Sequence, residues 1–165
     1  MEHSKTFGFS GGGIWSQCSG SVLLSRDEPE LPDTPESLEG DAAHWVGEQM
    51  LVAFKTGQHL QSLIGQVDRK GTLINEDMYD AATVYVQDII DPEAWGTCDA
   101  FHYDKSTNTL HVWDFKYGHS SVLAYENWQL IGYAKAYCET NELMRANPRL
   151  VLNIVQPRCF DGNGA

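Results

Sequence analysis

The chain has 165 residues, 42% hydrophobic and 11% aromatic, which is enough for one domain with its own core, and it has no apolar run near the roughly 18 residues that span a bilayer. Its formal net charge of −12 argues against a protein that coats DNA through a basic surface, but not against an enzyme that gathers carboxylates around a cation. The polar, then Gly-rich start does not read as a secretory signal, and four dispersed cysteines (Cys18, Cys98, Cys138, Cys159) without a CxxC read as reduced thiols of a cytoplasmic protein.

Residues 1–13 read as a flexible lead, 14–158 as one domain and 159–165 as a polar tail, compatible with a longer parent chain. Ile14 to Leu24 reads as a short helix with Trp15, Cys18 and Val22 on one face. Pro29, Pro32 and Pro35 make Arg26 to Ser37 a loop. Ser37 then caps a helix running to Phe54, with Ala42, Ala43, Val46, Met50 and Ala53 as its apolar stripe and Gly57 as its stop. His44 and Glu48 lie four apart, on one face of that helix. His59 to Ile74 has little pattern and reads as a loop, with a short strand within it as the alternative. A second helix begins at Asn75, carries Met78, Ala81, Ala82, Tyr85 and Ile89 at helical spacing, and ends by Pro92.

Ala94 to Tyr103 and Thr109 to Tyr117 read as two strands of a hairpin turning at Asp104–Asn108. Asp99 sits among small and apolar residues on the first strand. An acid there is paired, metal-bound or at a strand end, because an unpaired buried charge is costly. Asp114 and Lys116 are two apart on the second strand and so share a face. Tyr125 to Glu142 reads as a third helix, with Gln129 and Tyr133 one turn apart. Arg149 to Gln156 is a third strand whose nearly continuous apolar run suits a sheet interior. The fold class is therefore α/β, a central mixed sheet flanked by helices.

Two aspartates and a lysine at a strand end suggest metal-assisted phosphodiester chemistry. Carboxylates bind hard cations, and imidazole extends the choice to Mn²⁺. Such a cation acidifies water and polarises a phosphoryl oxygen, while a lysine orients or deprotonates the water or stabilises developing charge. His44 and Glu48 offer further ligands from a helix. Each has an ordinary alternative: a histidine on a helix is usually a packing or surface residue, and Glu48 reads equally as a solvated acid.

In this order the residues resemble the PD-(D/E)XK nuclease superfamily, in particular its RecB-like exonuclease branch and the phage and prophage members of that branch. Glu39-Gly40-Asp41-Ala42-Ala43-His44 resembles the GxxxH helix motif and Gly96-Thr97-Cys98-Asp99 the G-x-x-D strand. Asp114-Phe115-Lys116 resembles the D-x-K strand and Gln129 to Tyr133 the QxxxY helix. The match runs from about Ile14 to Gln156. Each motif alone is weak; the weight comes from four in order on the expected elements.

The resemblance implies a restriction-endonuclease-like core and a metal-dependent deoxyribonuclease, an exonuclease of phage recombination or DNA processing in a bacterial host's cytoplasm. Its cofactor would be Mg²⁺ or Mn²⁺. Its partners would be single- or double-stranded DNA, with a phage recombination protein as a further candidate and no membrane. His44, Asp99, Asp114 and the Phe115 carbonyl would bind the metal. Lys116 would be the catalytic lysine, with Asp114 and Asp99 beside it. Gln129 and Tyr133 would position the site or brace its strand, and Glu48 would support it. An iron–sulfur cluster, found in some members, is not expected: Cys18 fits the upstream place, but only Cys159 follows where a trio is needed. Trp113, Tyr117, Tyr125 and Trp128 are candidates for stacking on bases, with core packing as the ordinary role for most. Two alternatives stay open: a binding module that keeps the fold without catalysis, and a metal-dependent hydrolase of small phosphoesters.

Overall fold

The structure is a computed structural model that describes residues 11–18, 20–29, 31–57, 60, 62–89 and 100–159. It is a mixed α/β arrangement. Two short helices, α1 (Gly12–Trp15) and α2 (Ser21–Ser25), precede the long α3 (Pro35–Thr56) and α4 (Glu76–Asp88). Strands β1 (Ala100–Asp104) and β2 (Thr109–Phe115) form a hairpin. Helix α5 (Trp128–Thr140) and a short 3₁₀ turn (Leu143–Arg145) lead to β3 (Arg149–Val155).

β2 is central among the described strands: β1 pairs with it antiparallel, from Ala100 opposite Trp113 to Asp104 opposite Thr109, and β3 pairs with it parallel, from Thr109 beside Arg149 to Phe115 beside Val155. The parallel pair needs a crossover, which α5 supplies. Alternation along β2 then divides the interior. Trp113 and Phe115 join Ala42, Ala43, Val46, Leu51, Met78, Ala81, Ala82 and Tyr85 in a cluster on the α3/α4 face. Leu110 and Val112 join Leu130, Ala134 and Cys138 on the α5 face.

The helical spacing in the second predicted helix marks its core face: Met78, Ala81, Ala82, Tyr85 and Ile89 are all buried. Asn75 caps it by accepting from the Met78 N–H at 2.9 Å. In α3 the cap is Thr34 rather than Ser37. Its hydroxyl accepts from the Ser37 N–H at 3.2 Å, and Pro35 begins the helix, where a missing N–H costs nothing. Gly57, at φ +65°, closes that helix in the left-handed conformation. α3 and α4 approach closely at Gly47, where a Cβ would lie 3.2 Å from the Tyr85 ring.

Three further expectations are corrected. Residues 14–24 are not one helix but two short ones with a turn between, which a Gly-Ser-rich stretch favours. The third helix starts at Trp128, capped by Asn127, whose side chain accepts from the Leu130 N–H at 3.1 Å. β3 is an edge among the described strands, not an interior one: its residues are half-buried or exposed, and Leu150 is 44% exposed. The strand predicted from Ala94 is described only from Ala100. Among the described residues no helix is long and apolar enough to cross a membrane.

Candidate active site

The site is built at the end of β2. Asp114 points from β2 toward α5, opposite to Phe115. Lys116, one residue past the strand, keeps the ladder direction because its N–H donates to the Val155 carbonyl at 2.9 Å. The two side chains therefore emerge on the same face, and Lys116 Nζ lies 2.8 Å from Asp114 Oδ2. The aspartate is buried and the lysine side chain is a quarter exposed, so the pair joins the interior to the surface.

Gln129, in the first turn of α5, holds both. Its Oε1 accepts from Lys116 Nζ at 3.2 Å, and its Nε2 donates to Asp114 Oδ1 at 3.3 Å and to the Tyr133 hydroxyl at 3.2 Å. The amide has one consistent orientation: turned over, it would set its NH₂ against an ammonium and its oxygen against a carboxylate. The Asn127 cap fixes where the first turn of α5 starts, and so where Gln129 reaches.

The remaining predicted residues lie elsewhere. The His44 ring packs against the Phe115 ring, centroids 5.1 Å apart and planes inclined at 55°, and Tyr85 stacks on the same Phe115 ring at 4.8 Å. His44 thus belongs to the α3/α4 face, beside the Phe115 side chain. Glu48 turns to Arg69, at 2.9 Å, in the 62–75 loop. Lys70 of that loop bridges Asp33 at 2.8 Å and Asp41 at 2.7 Å, and its hydrogen bond holds the Asp33 carboxyl below the usual range. Asp99, with Gly96, Thr97 and Cys98, lies outside the described residues.

Asp114 offers the buried carboxylate that a hard divalent ion takes, but its contacts at this end of the strand are with Lys116 and Gln129, and the His44 ring packs on the opposite face. Among the described residues no three His, Cys, Asp or Glu side chains form a group that could hold a metal, so the predicted set depends on Asp99.

Arg158 is a residue the sequence patterns do not mark. Its guanidinium lies 4.2 Å over the Tyr117 ring and 4.0 Å from the Glu39 carboxylate, joining the chain after β3 to the start of α3. Burial pushes the Tyr117 phenol up, with Arg158 opposing it. Of the four aromatics considered for stacking, Trp113 and Tyr117 are core residues, whereas Tyr125 is 79% and Trp128 46% exposed.

A family model described as a protein of unknown function (DUF2800) matches residues 87–163, just under half of the chain. That segment takes in Asp99, the hairpin, Lys116 and α5, and stops short of His44. Neither a curated protein nor a solved structure matches the chain.

Proposed function

We propose that this chain is a divalent-metal-dependent deoxyribonuclease with a restriction-endonuclease-like core, acting as an exonuclease on DNA phosphodiester bonds. One observation carries the reading: a buried aspartate and a lysine a quarter exposed, two apart at a strand end, held by a single glutamine that a tyrosine braces. A purely structural ion pair has no need of that bracing at an open end of the sheet, since apolar residues of similar size usually serve stability as well.

In this reading Asp114 and the Phe115 carbonyl, with Asp99, would hold Mg²⁺ or Mn²⁺, and His44, whose ring packs on Phe115 on the other face of the strand, is a further candidate. The ion, when bound, supplies Lewis-acid polarisation of the phosphoryl oxygen and a more acidic water. Lys116 orients the attacking water from the solvent side and offsets negative charge growing on the phosphate. Gln129 sets the Lys116 ammonium and the Asp114 carboxylate relative to each other, and Tyr133 fixes Gln129. Glu48, ion-paired with Arg69, is assigned no chemical step.

The test uses end-labelled single- and double-stranded DNA with Mg²⁺ or Mn²⁺, comparing wild type with Lys116→Ala and Lys116→Gln. The glutamine variant keeps a donor for Asp114, because removing one partner of a buried pair can itself unfold a protein. Metal-dependent cleavage lost in both variants, with the fold retained in Lys116→Gln, supports the proposal. Cleavage that survives both variants rejects it. Calorimetric titration with Mn²⁺ separates the binding-module alternative, which predicts no ion uptake sensitive to Asp114→Asn.

A further inference from the structure

Beside the Asp114–Lys116 pair lies an open groove of about 350 Å³, lined by Lys116, Gln129, Leu123, Tyr125, Glu126 and Trp128 among others. Three large apolar side chains in six residues stand in solvent there: Leu123 is 71%, Tyr125 79% and Trp128 46% exposed. A cluster of that kind, beside a polar pocket, is a candidate binding surface.

The wall is also held in place. Gln156 donates to the Ser120 carbonyl at 3.1 Å and accepts from the Val122 N–H at 3.0 Å, and Asn127 donates to the Leu123 carbonyl at 3.1 Å. The backbone of α1 lies so close to Trp128 that a Cβ on Gly12 would sit 2.7 Å from the Trp128 Cβ. The aromatics therefore stand on fixed backbone.

Charge selects the occupant. Among the described residues Lys116 is the one cation lining the groove, Glu126 lines it too, and the chain carries a net charge of −12. A surface of that balance repels a long run of phosphates. One ammonium, already shared with Asp114, has room for a single phosphate at most, and the aromatics offer a face to a flat, neutral ring, the combination by which proteins take unpaired nucleotides. We propose that the groove receives the unpaired terminal nucleotide of a nucleic-acid strand, its base stacked on Tyr125 and Trp128 and its phosphate directed to Lys116. This rests on the nuclease reading for the role of Lys116 and adds a preference for frayed or single-stranded ends.

The test measures binding in Ca²⁺ to a fluorescein-labelled oligothymidylate, to an abasic strand of the same length and charge, and to a blunt duplex. Tryptophan fluorescence is followed in parallel, with Trp128→Phe assigning the signal. The expected result is tighter binding to the oligothymidylate than to the other two, quenching that disappears in Trp128→Phe, and about tenfold to a hundredfold weaker binding in Tyr125→Ala. Equal affinity for the abasic strand, tighter binding to the duplex, or no effect of Tyr125→Ala overturns the proposal. Cleavage in Mg²⁺ or Mn²⁺ is assayed on the same proteins. Cleavage without base-dependent binding rejects the groove and keeps the nuclease; base-dependent binding without cleavage does the reverse.

Discussion

The two faces of the central strand are made from the same seven residues and do different work. Toward α3 and α4, Trp113 and Phe115 enter an apolar cluster in which Phe115 is wholly buried between His44 and Tyr85. Toward α5, the apolar part is smaller and gives way at its end to Asp114, Lys116, Gln129 and Tyr133. Alternation lets a strand place a stabilising side chain and a chemical one at adjacent positions, so the polar cluster inherits its rigidity from the core behind it. At the site end of the strand, a change at Phe115 should therefore move stability, and changes at Asp114 and Lys116 activity.

The sharpest test of that division is Phe115→Ala. It should cost about 3–5 kcal/mol in denaturant unfolding, the range for emptying a large buried aromatic site. A loss under about 1 kcal/mol would mean that the α3/α4 face collapses around the gap and does not brace the site.

On the other face, Asp114→Asn should lower metal-dependent cleavage by at least about a hundredfold, the scale of losing one charge-stabilising group. Its circular dichroism should stay that of wild type. Gln129→Ala should fall between these extremes, with about a tenfold to hundredfold loss in kcat, as for residues that orient others. Retained kcat with raised KM would move Gln129 from bracing the pair to contacting DNA.

A smaller effect belongs to the far end of the hairpin. Burial, with neighbouring His102 and Arg149 acting in the same direction and Asp104 opposing, lowers the His111 pKa. The folded state therefore favours the neutral ring, and the unfolded chain takes up the proton first. Stability from this group is complete above the unfolded value near about 6.5 and is lost as pH falls through the folded one. Between pH 7.5 and 5.5 the wild type should lose more stability than His111→Phe, by less than about 1.4 kcal/mol per pH unit. Identical slopes would dismiss the contribution. Smallest of all, Glu48→Ala should change unfolding by no more than about 1 kcal/mol, since its Arg69 partner is largely exposed.

Much of this arrangement was legible in the residues. The Met78 to Ile89 stripe follows from helical period, and the shared face of Asp114 and Lys116 from strand period; both are local properties. The Thr34–Pro35 cap was hidden because three prolines made the whole stretch read as loop, although Pro at a first helical position is favourable. The edge position of β3 was hidden because strand order is not local, and an apolar run can face a helix on one side with its edge uncovered. His44 was placed on the right helix, but its packing on the Phe115 side depends on how α3 is rotated against the sheet, which no single-helix pattern contains. Arg158 left no periodic trace because its partners, Glu39 and Tyr117, are far away in sequence.

The amide of Gln129 has a consequence for redesign. It bridges a carboxylate and an ammonium that already touch, offering each the opposite end of one dipole. Gln129→Glu would keep that shape but bring a second acid within about the 3.3 Å that now spans Gln129 and Asp114. Two carboxylates so close share a proton, so one would stay protonated well above its ordinary range. In the nuclease reading, cleavage by Gln129→Glu would then fall in mild acid more steeply than that of the wild type, through the exchange of one NH₂ for an oxygen.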